Sequence, residues 1–265
     1  MKSCRLSGVR PRKAFIYNLL DPQSGPDAVK TTYIPADMEN NSYTLKQIAH
    51  IENDFRDKFG VPRQSGLAPS VMSRIIFEPE FRNADTLRGL EDFSHIWLIW
   101  QFSKNLRDDW SPTVRPPKLG GNERVGVFAS RSPFRPNALG LSSVKIEGVT
   151  VDEKCGPVIT VSGADLLNGT PIFDIKPYIP FTDIHTDAKG GFTDTTAEKE
   201  LDVVIPERIR RLHDAEYLQE LTEVLRGDPR PGYHNDPERI YGFGLGACEV
   251  RFRVSDDVIT VISID

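Results

Sequence analysis

Between Arg124 and Gly148 the chain reads RVGVFASRSPFRPNALGLSSVKIEG: a strand, a polar loop and a second, alternating strand. The loop, Ser130 to Gly140, sets Arg131, Ser132, Arg135 and Asn137 around two prolines, Pro133 and Pro136. Each proline fixes its own φ and biases the residue before it toward extended geometry, so the loop is stiff. Two guanidiniums make it poor material for a core. They suit an anionic or planar polar ligand, because arginine presents five donors in a fixed fork. A plain surface loop between strands is the competing reading.

A second proline-stiffened loop, WSPTVRPPKLGGN, carries Arg115 and Lys118. With Arg124, Arg131 and Arg135 these cations fall within 21 residues that bracket one strand. On a modestly acidic chain they form either a phosphate-contacting surface or scattered solvated charge. Further on, DLLNGTPIFDIKPY joins a turn-forming Asn-Gly to Asp165, Asn168, Thr170, Asp174, Lys176 and Tyr178. In an extended segment Asp174 and Lys176 share a face. They are either a structural ion pair or a carboxylate placed beside a substrate N–H. His95 opens the apolar run SHIWLIW, where it is either a strand-end histidine or a ligand contact. Trp97 and Trp100 are three apart on that strand, face opposite sides and are explained by packing.

Several common chemistries find no support. GFGLG, 242 to 246, lacks the strand–helix context of a dinucleotide fingerprint and has no Walker lysine. There is no HExxH, the five histidines are isolated from one another, and no metal is expected. No GxSxG marks Ser132 as a nucleophile. The net charge of -5 rules out a bulk polycation but not a local basic patch. Cys4, Cys155 and Cys248 are odd in number and far apart, which reads as reduced thiols. The N-terminus has no continuous apolar stretch and no run approaches the roughly 20 apolar residues of a membrane span, so cytoplasm is the default with no membrane partner.

The elements that must position these groups are mainly β. Strands are predicted over 44–54, 73–79 and 94–102, in VGVFA, and through LSSVKIEGVTVDE and GPVITVSGADLLNGTPIFDIKPY, with a short helix at 80–93. Many short strands with few helices indicate a small antiparallel β-barrel over 44–185 rather than a doubly wound sheet. Residues 1–43 are an extension rich in Pro, Asn, Asp and Ser. Residues 190–265 read as a smaller α+β domain, with a helical period over 205–228 interrupted near 213–216, a stop at Gly227, and a closing two-strand pattern.

Taken in order, KFGVPRQSG, RPPKLGGN, VGVFASRSPFRPNALGLSSV, ADLLNGTPIFDIKPY and DPRPGY (228–233) resemble the TrmO family, also called TsaA-like or YaeB, over roughly residues 44 to 265. That resemblance implies a small antiparallel β-barrel, a homodimer, and S-adenosylmethionine bound near the dimer interface. It implies methylation of the exocyclic nitrogen of threonylcarbamoyl-adenosine at anticodon-loop position 37, chiefly in threonine tRNAs. The cofactor residues it implies are Pro62, Arg63, Gln64, His95, Ile96, Arg131 and Leu141, with Asp165, Leu166, Leu167, Asn168, Gly169 and Thr170.

Under that reading Asp174 is the candidate to orient or accept the nitrogen's proton, and Lys176 and Tyr178 to bind the threonyl carboxylate or a phosphate. Arg115, Lys118, Arg135 and Asn137 are expected on the tRNA side, an anticodon stem-loop. The C-terminal domain, through Arg230 and Tyr233, is expected to assist tRNA placement while adding little to cofactor affinity; a lid that only covers the barrel is the alternative. Three residues depart from the family's pattern. Ala138 replaces a proline, which should soften the loop; Ser65 replaces a proline; Asn168 replaces an aspartate, which should weaken cofactor binding.

Overall fold

A computed structural model describes residues 43–104, 109–119, 123–194, 200–230 and 236–265. Nearly all of the N-terminal extension lies outside them. The chain divides after Thr44, and the unit Leu45–Asp265 holds every strand and helix of the described residues.

The first half contains β1 (Ala49–Glu52), β2 (Met72–Phe77), β3 (His95–Gln101), a two-residue ribbon of β4 (Thr113–Val114) and β5 (Val125–Gly126), then β6 (Leu139–Asp152), β7 (Gly156–Ser162) and β8 (Pro171–Pro177). Six of these pair in the order β1-β2-β7-β6-β3-β8, every neighbour antiparallel, and β8 returns to β1 to close the sheet into a barrel. Closure leaves no free edge, which suits strands this short. The period of two sorts each strand: Ile96, Leu98 and Trp100 of β3 point into the core, while His95, Trp97, Ile99 and Gln101 lie on the outer face. Ile51, Ile75, Ile159, Leu166 and Ile172 meet the β3 residues inside. Each such side chain contributes roughly 1.5–3 kcal/mol on burial.

Three predicted elements of this half differ, the first being the strand expected over 44–54, which is Ala49–Glu52 only. The helix expected at 80–93 is three separate 3-10 turns, Pro79–Phe81, Ala84–Leu87 and Leu90–Asp92. The Asn83 side chain caps the second by accepting from the Asp85 N–H, and Gly89, at φ 83°, breaks the chain before the third. VGVFA is a strand for two residues only, because Val127–Ala129 tightens into a 3-10 turn.

The second half runs α1 (Pro180–Asp183), β9 (Asp202–Val204), α2 (Glu207–Arg210), α3 (Ala215–Arg226), β10 (Tyr241–Leu245), β11 (Cys248–Ser255) and β12 (Val258–Ile264). The interruption near 213–216 is the start of α3, where the Asp214 carboxylate accepts the Tyr217 N–H as an N-cap. The closing pattern holds three strands rather than two, β10-β11-β12, and β9 joins β12 as a parallel fourth strand of the sheet. Gly242 and Gly244 disguised the first of them. This sheet and α3 share a core with Phe55, Ala68 and Val71, which belong by sequence to the first half. Among the described residues no helix is long and apolar enough to cross a membrane.

One glycine shapes the barrel interior where polar groups gather. Gly140 on β6 pairs with Trp100 on β3, and a methyl group there would lie 2.3 Å from the indole. The missing side chain lets the indole lie flat across β6 and reach Ser142. Gly140→Ala is therefore expected to cost about 1–3 kcal/mol by overpacking, read as a lower urea midpoint with an unchanged slope; an unaltered midpoint would show that the indole can shift freely.

Candidate active site

From the barrel interior a line of polar contacts runs to the loops. Trp100 Nε1 donates to Ser142 Oγ at 2.9 Å, and Ser142 Oγ donates to Asp165 Oδ1 at 2.5 Å. Both are barrel-interior contacts, with Trp100 and Ser142 buried. Burial pushes the mostly buried Asp165 carboxyl above its ordinary pKa; the Ser142 hydrogen bond and the Arg131 guanidinium pull the other way without cancelling it. Arg131, exposed on the proline-stiffened loop, donates to the Gln64 amide oxygen, and Gln64 Nε2 is itself tied to the Arg63 carbonyl at 2.6 Å. Gln64, Arg131 and Asp165, distant in sequence, are thus gathered at one end of the barrel.

The remaining expected cofactor residues divide. Ile96 and Leu166 have no exposed surface and belong to the core. Leu167, Asn168, Gly169 and Thr170 form a turn sewn to β1 and the segment after it: Gly169 N–H to Ile51 O, Asn168 N–H to Phe55 O, and the Asn53 N–H to Asn168 Oδ1 at 3.1 Å. Asn168 therefore caps backbone with its side-chain oxygen, a task its carboxamide performs without a charge. Pro62 and Arg63 sit on the Gln64 loop, and the Arg63 guanidinium turns toward the C-terminal domain. At Ala138 φ is 44°, a value closed to proline, and its N–H donates to Arg135 O. The alanine therefore permits a left-handed corner that a proline could not adopt.

On the outer face of β6, β3 and β8, Ile99 stands between Leu141 and Asp174, Trp97 between Ser143 and Lys176, and His95 beside Lys145 and Tyr178. Leu141 is 58% exposed. Asp174 reaches this face because the register shifts between Ile99 and Trp100, so that Phe173 is an extra residue. Without that bulge Asp174 would share the inward face of Ile172. Lys176 Nζ lies 2.8 Å from Asp174 Oδ2, and Asp174 Oδ1 accepts the Ile175 N–H. The pair read from the sequence is thus an ion pair. Tyr178 lies beyond Lys176 from Asp174: its ring is 6.1 Å from His95 and 5.5 Å from Trp97, and its N–H pairs with His95, whose backbone is about 13 Å along β3 from Ile99, the partner of Asp174. Trp97 is held by its own Nε1 donating to Asp183 of α1.

Of the cations expected to face RNA, Arg115 is exposed and Arg135 is half-buried with Nη1 donating to the Ser130 carbonyl; Asn137 beside them is exposed. Arg230 is paired with Asp228, its side chain 14% exposed. Tyr233 and the Lys118 side chain lie outside the described residues.

Sequence reasoning passed over Ser142. Its signal was a hydroxyl between Gly140 and Val144 at an inward position of an alternating strand. A raised Asp165 pKa carries a sign: the folded state binds that proton more tightly than the unfolded chain. Its contribution is fully favourable below the ordinary value of 3.8 and is lost as pH rises through the raised value. Asp165→Asn is expected to remove that slope, leaving the variant at least as stable as the native protein near pH 7 and closer to it at pH 3. Thermal midpoints across that range measure it; parallel curves would show that burial does not oppose the charge.

Residues 50–184 match the tRNA-methyltransferase O N-terminal domain and residues 198–265 the TrmO C-terminal domain. A relative from Escherichia coli named tRNA (adenine(37)-N6)-methyltransferase is 38% identical, the match spanning 85% of this chain and 99% of the relative. A Pseudomonas aeruginosa protein named putative S-adenosylmethionine-dependent methyltransferase RcsF is 37% identical over 84% of this chain and 98% of its own. The crystal structure of TrmO from the same species superposes with a TM-score of 0.68 at 32% identity, over 84% of this chain and 97% of that one. The chain belongs to the tRNA-methyltransferase O family.

Proposed function

We propose that this protein transfers the methyl group of S-adenosylmethionine to N6 of adenine 37 in tRNA. The substrate is the N6-threonylcarbamoyl form of that adenine in the anticodon loop of threonine tRNAs, and the acting species is a cytoplasmic homodimer. The observation that carries the reading is the convergence of Gln64, Arg131 and Asp165 at one barrel end, in a chain whose family is defined by methyl transfer to tRNA.

The residues present fit the cofactor. Asp165 is a carboxylate whose charge burial opposes, so a cation placed beside it is favoured; the exposed Arg131 fork suits a carboxylate. Arg131 and Gln64 would hold the amino-acid end and Asp165 a polar or cationic group. Leu141 and His95 would line the outer face. When bound, S-adenosylmethionine supplies the electrophilic methyl carbon.

The chain's own work is then positioning, which can provide most of the gain for an in-line transfer. The attacking nitrogen carries a carbamoyl group and one hydrogen. Lys176 occupies Asp174 Oδ2, so Oδ1, which also receives the Ile175 N–H, is the oxygen available to align that hydrogen and take the proton. Tyr178, standing apart with His95, would contact the threonyl group or a phosphate rather than the reacting nitrogen. An anticodon-loop base is already single-stranded and can be splayed out without opening a duplex. Arg115, Arg135 and Asn137 would meet the surrounding phosphates, and Lys118 and Tyr233 are the further tRNA contacts that the sequence pattern suggests. The exposed Leu141 beside Ile99 and Trp97 suits a two-fold interface next to the cofactor.

Incubation with S-adenosylmethionine and threonine tRNA, followed by mass spectrometry of the nucleosides, is expected to show methylation only where the threonylcarbamoyl group is present. Equal methylation of unmodified tRNA would overturn the substrate, and tRNA binding without saturable cofactor binding would leave an RNA-binding module instead. Asp174→Asn is expected to keep both ligands and slow single turnover by about 10²-fold. A near-native rate would reduce Asp174 to the structural partner of Lys176.

A further inference from the structure

The loop 58–70, which carries Pro62, Arg63 and Gln64, meets the barrel side through the Gly66 N–H on Gly163 O at 2.8 Å, Lys58 Nζ on Lys104 O at 2.6 Å and the Arg131–Gln64 bond, and its remaining anchors are on the C-terminal domain. At its start Phe59 stacks on Tyr241 with ring centroids 6.3 Å apart, and Gly60 lies so close to Phe243 that a methyl group would meet the ring at 2.5 Å. At its end Ser70 gives both its N–H (2.8 Å) and its hydroxyl (2.7 Å) to the Glu223 carboxylate of α3. Between these anchors the Arg63 guanidinium donates through Nη2 to the carbonyls of Asp228 (2.8 Å) and Arg230 (3.2 Å). A cavity of about 150 Å³ separates the loop from the domain, lined on one side by Gly60, Pro62 and Arg63 and on the other by Val224, Gly227 and Pro229. Arg63 bridges the two sides at the loop's tip.

The corner that receives Arg63 has a defined shape. After α3 the left-handed residue is Asp228, at φ 47°, and not Gly227, at φ -74°. A non-glycine residue there is strained, and aspartate tolerates it better than most. The corner is fixed by Arg230, whose Nε lies 3.0 Å from each Asp228 carboxylate oxygen, and by the Arg230 N–H on Asp228 Oδ1 at 3.3 Å. The side chains are 14% and 22% exposed. Carbonyls just past a helix C-terminus carry partial negative charge, so a guanidinium is well placed on them.

We propose that the Asp228–Arg230 corner is a positioning device for the cofactor loop, and that Arg63 acts on S-adenosylmethionine at one remove by setting where Gln64 meets Arg131. This rests on the methyl-transfer reading. It reassigns Arg230 from RNA contact to cofactor placement, and gives the C-terminal domain a share in cofactor affinity.

The test uses the full chain with Arg230→Met, Arg63→Lys and the double variant. Methionine removes the pair while keeping an apolar stem; lysine keeps the charge, but its stem is shorter than arginine's reach to Nη2, so its ammonium falls short of the point between the two carbonyls. Calorimetry with S-adenosylmethionine is expected to show each single variant weakened about tenfold, the scale of one charge-assisted hydrogen bond. The double variant should be no weaker than either, because both act through one contact. Affinity for threonine tRNA should stay within about twofold. Unchanged cofactor affinity in Arg230→Met, additive losses in the double variant, or a loss of tRNA affinity alone would overturn the proposal, as would equal losses of both ligands with a collapsed thermal midpoint. Should Arg230→Met not fold, a normal cofactor affinity in Arg63→Lys would overturn it equally. Native protein that fails to bind S-adenosylmethionine would sink the methyl-transfer reading, and this inference with it, before any variant is compared.

Discussion

Everything placed at the barrel end depends on one buried polar contact line, Trp100 to Ser142 to Asp165. A carboxyl taken out of water is costly unless hydrogen-bonded, and here burial still raises its pKa despite the Ser142 bond and the nearby Arg131. Burial thus leaves the carboxylate's charge only partly compensated by its neighbours. The line exists because Gly140 leaves room for an indole where any side chain would collide. A backbone vacancy thus sets a tryptophan, the tryptophan orients a hydroxyl, and the hydroxyl fixes the carboxylate that faces Arg131.

Around that fixed point the loops are held by unlike means. The Arg131 loop is stiff from within, through Pro133, Pro136, the Arg135 guanidinium folded back on Ser130 O, and the left-handed Ala138. The Gln64 loop is braced mainly from outside, by Phe243, Glu223 and the Asp228 corner. The two meet through Arg131 and Gln64. The C-terminal half, which shares its hydrophobic core with Phe55, Ala68 and Val71, is structurally continuous with that second loop.

The strand alternation, the polar loops and the broken helix near 213–216 were legible because each is a local pattern. What was not legible were features that break a period. Apolar Ile172 and Ile175, three apart, hinted at the bulge that turns Asp174 outward, yet spacing alone cannot distinguish a bulge from a strand end. The third strand of the C-terminal sheet was hidden by Gly242 and Gly244, which have no side chain to show the alternation. Arg63 and Arg230 read as ligand-facing cations because sequence gives a guanidinium's charge and not its direction; both are spent on carbonyls or a carboxylate of the chain itself.

The central claim is that Asp165 and Arg131 work as one unit on the cofactor. A double-mutant cycle of Asp165→Asn and Arg131→Ala, read as S-adenosylmethionine affinity by calorimetry, tests it most directly. The account predicts a coupling free energy of about 1 kcal/mol or more, the range seen for groups in one polar network. Losses that add to within about 0.3 kcal/mol would contradict it, because the two side chains would then be acting on the cofactor independently.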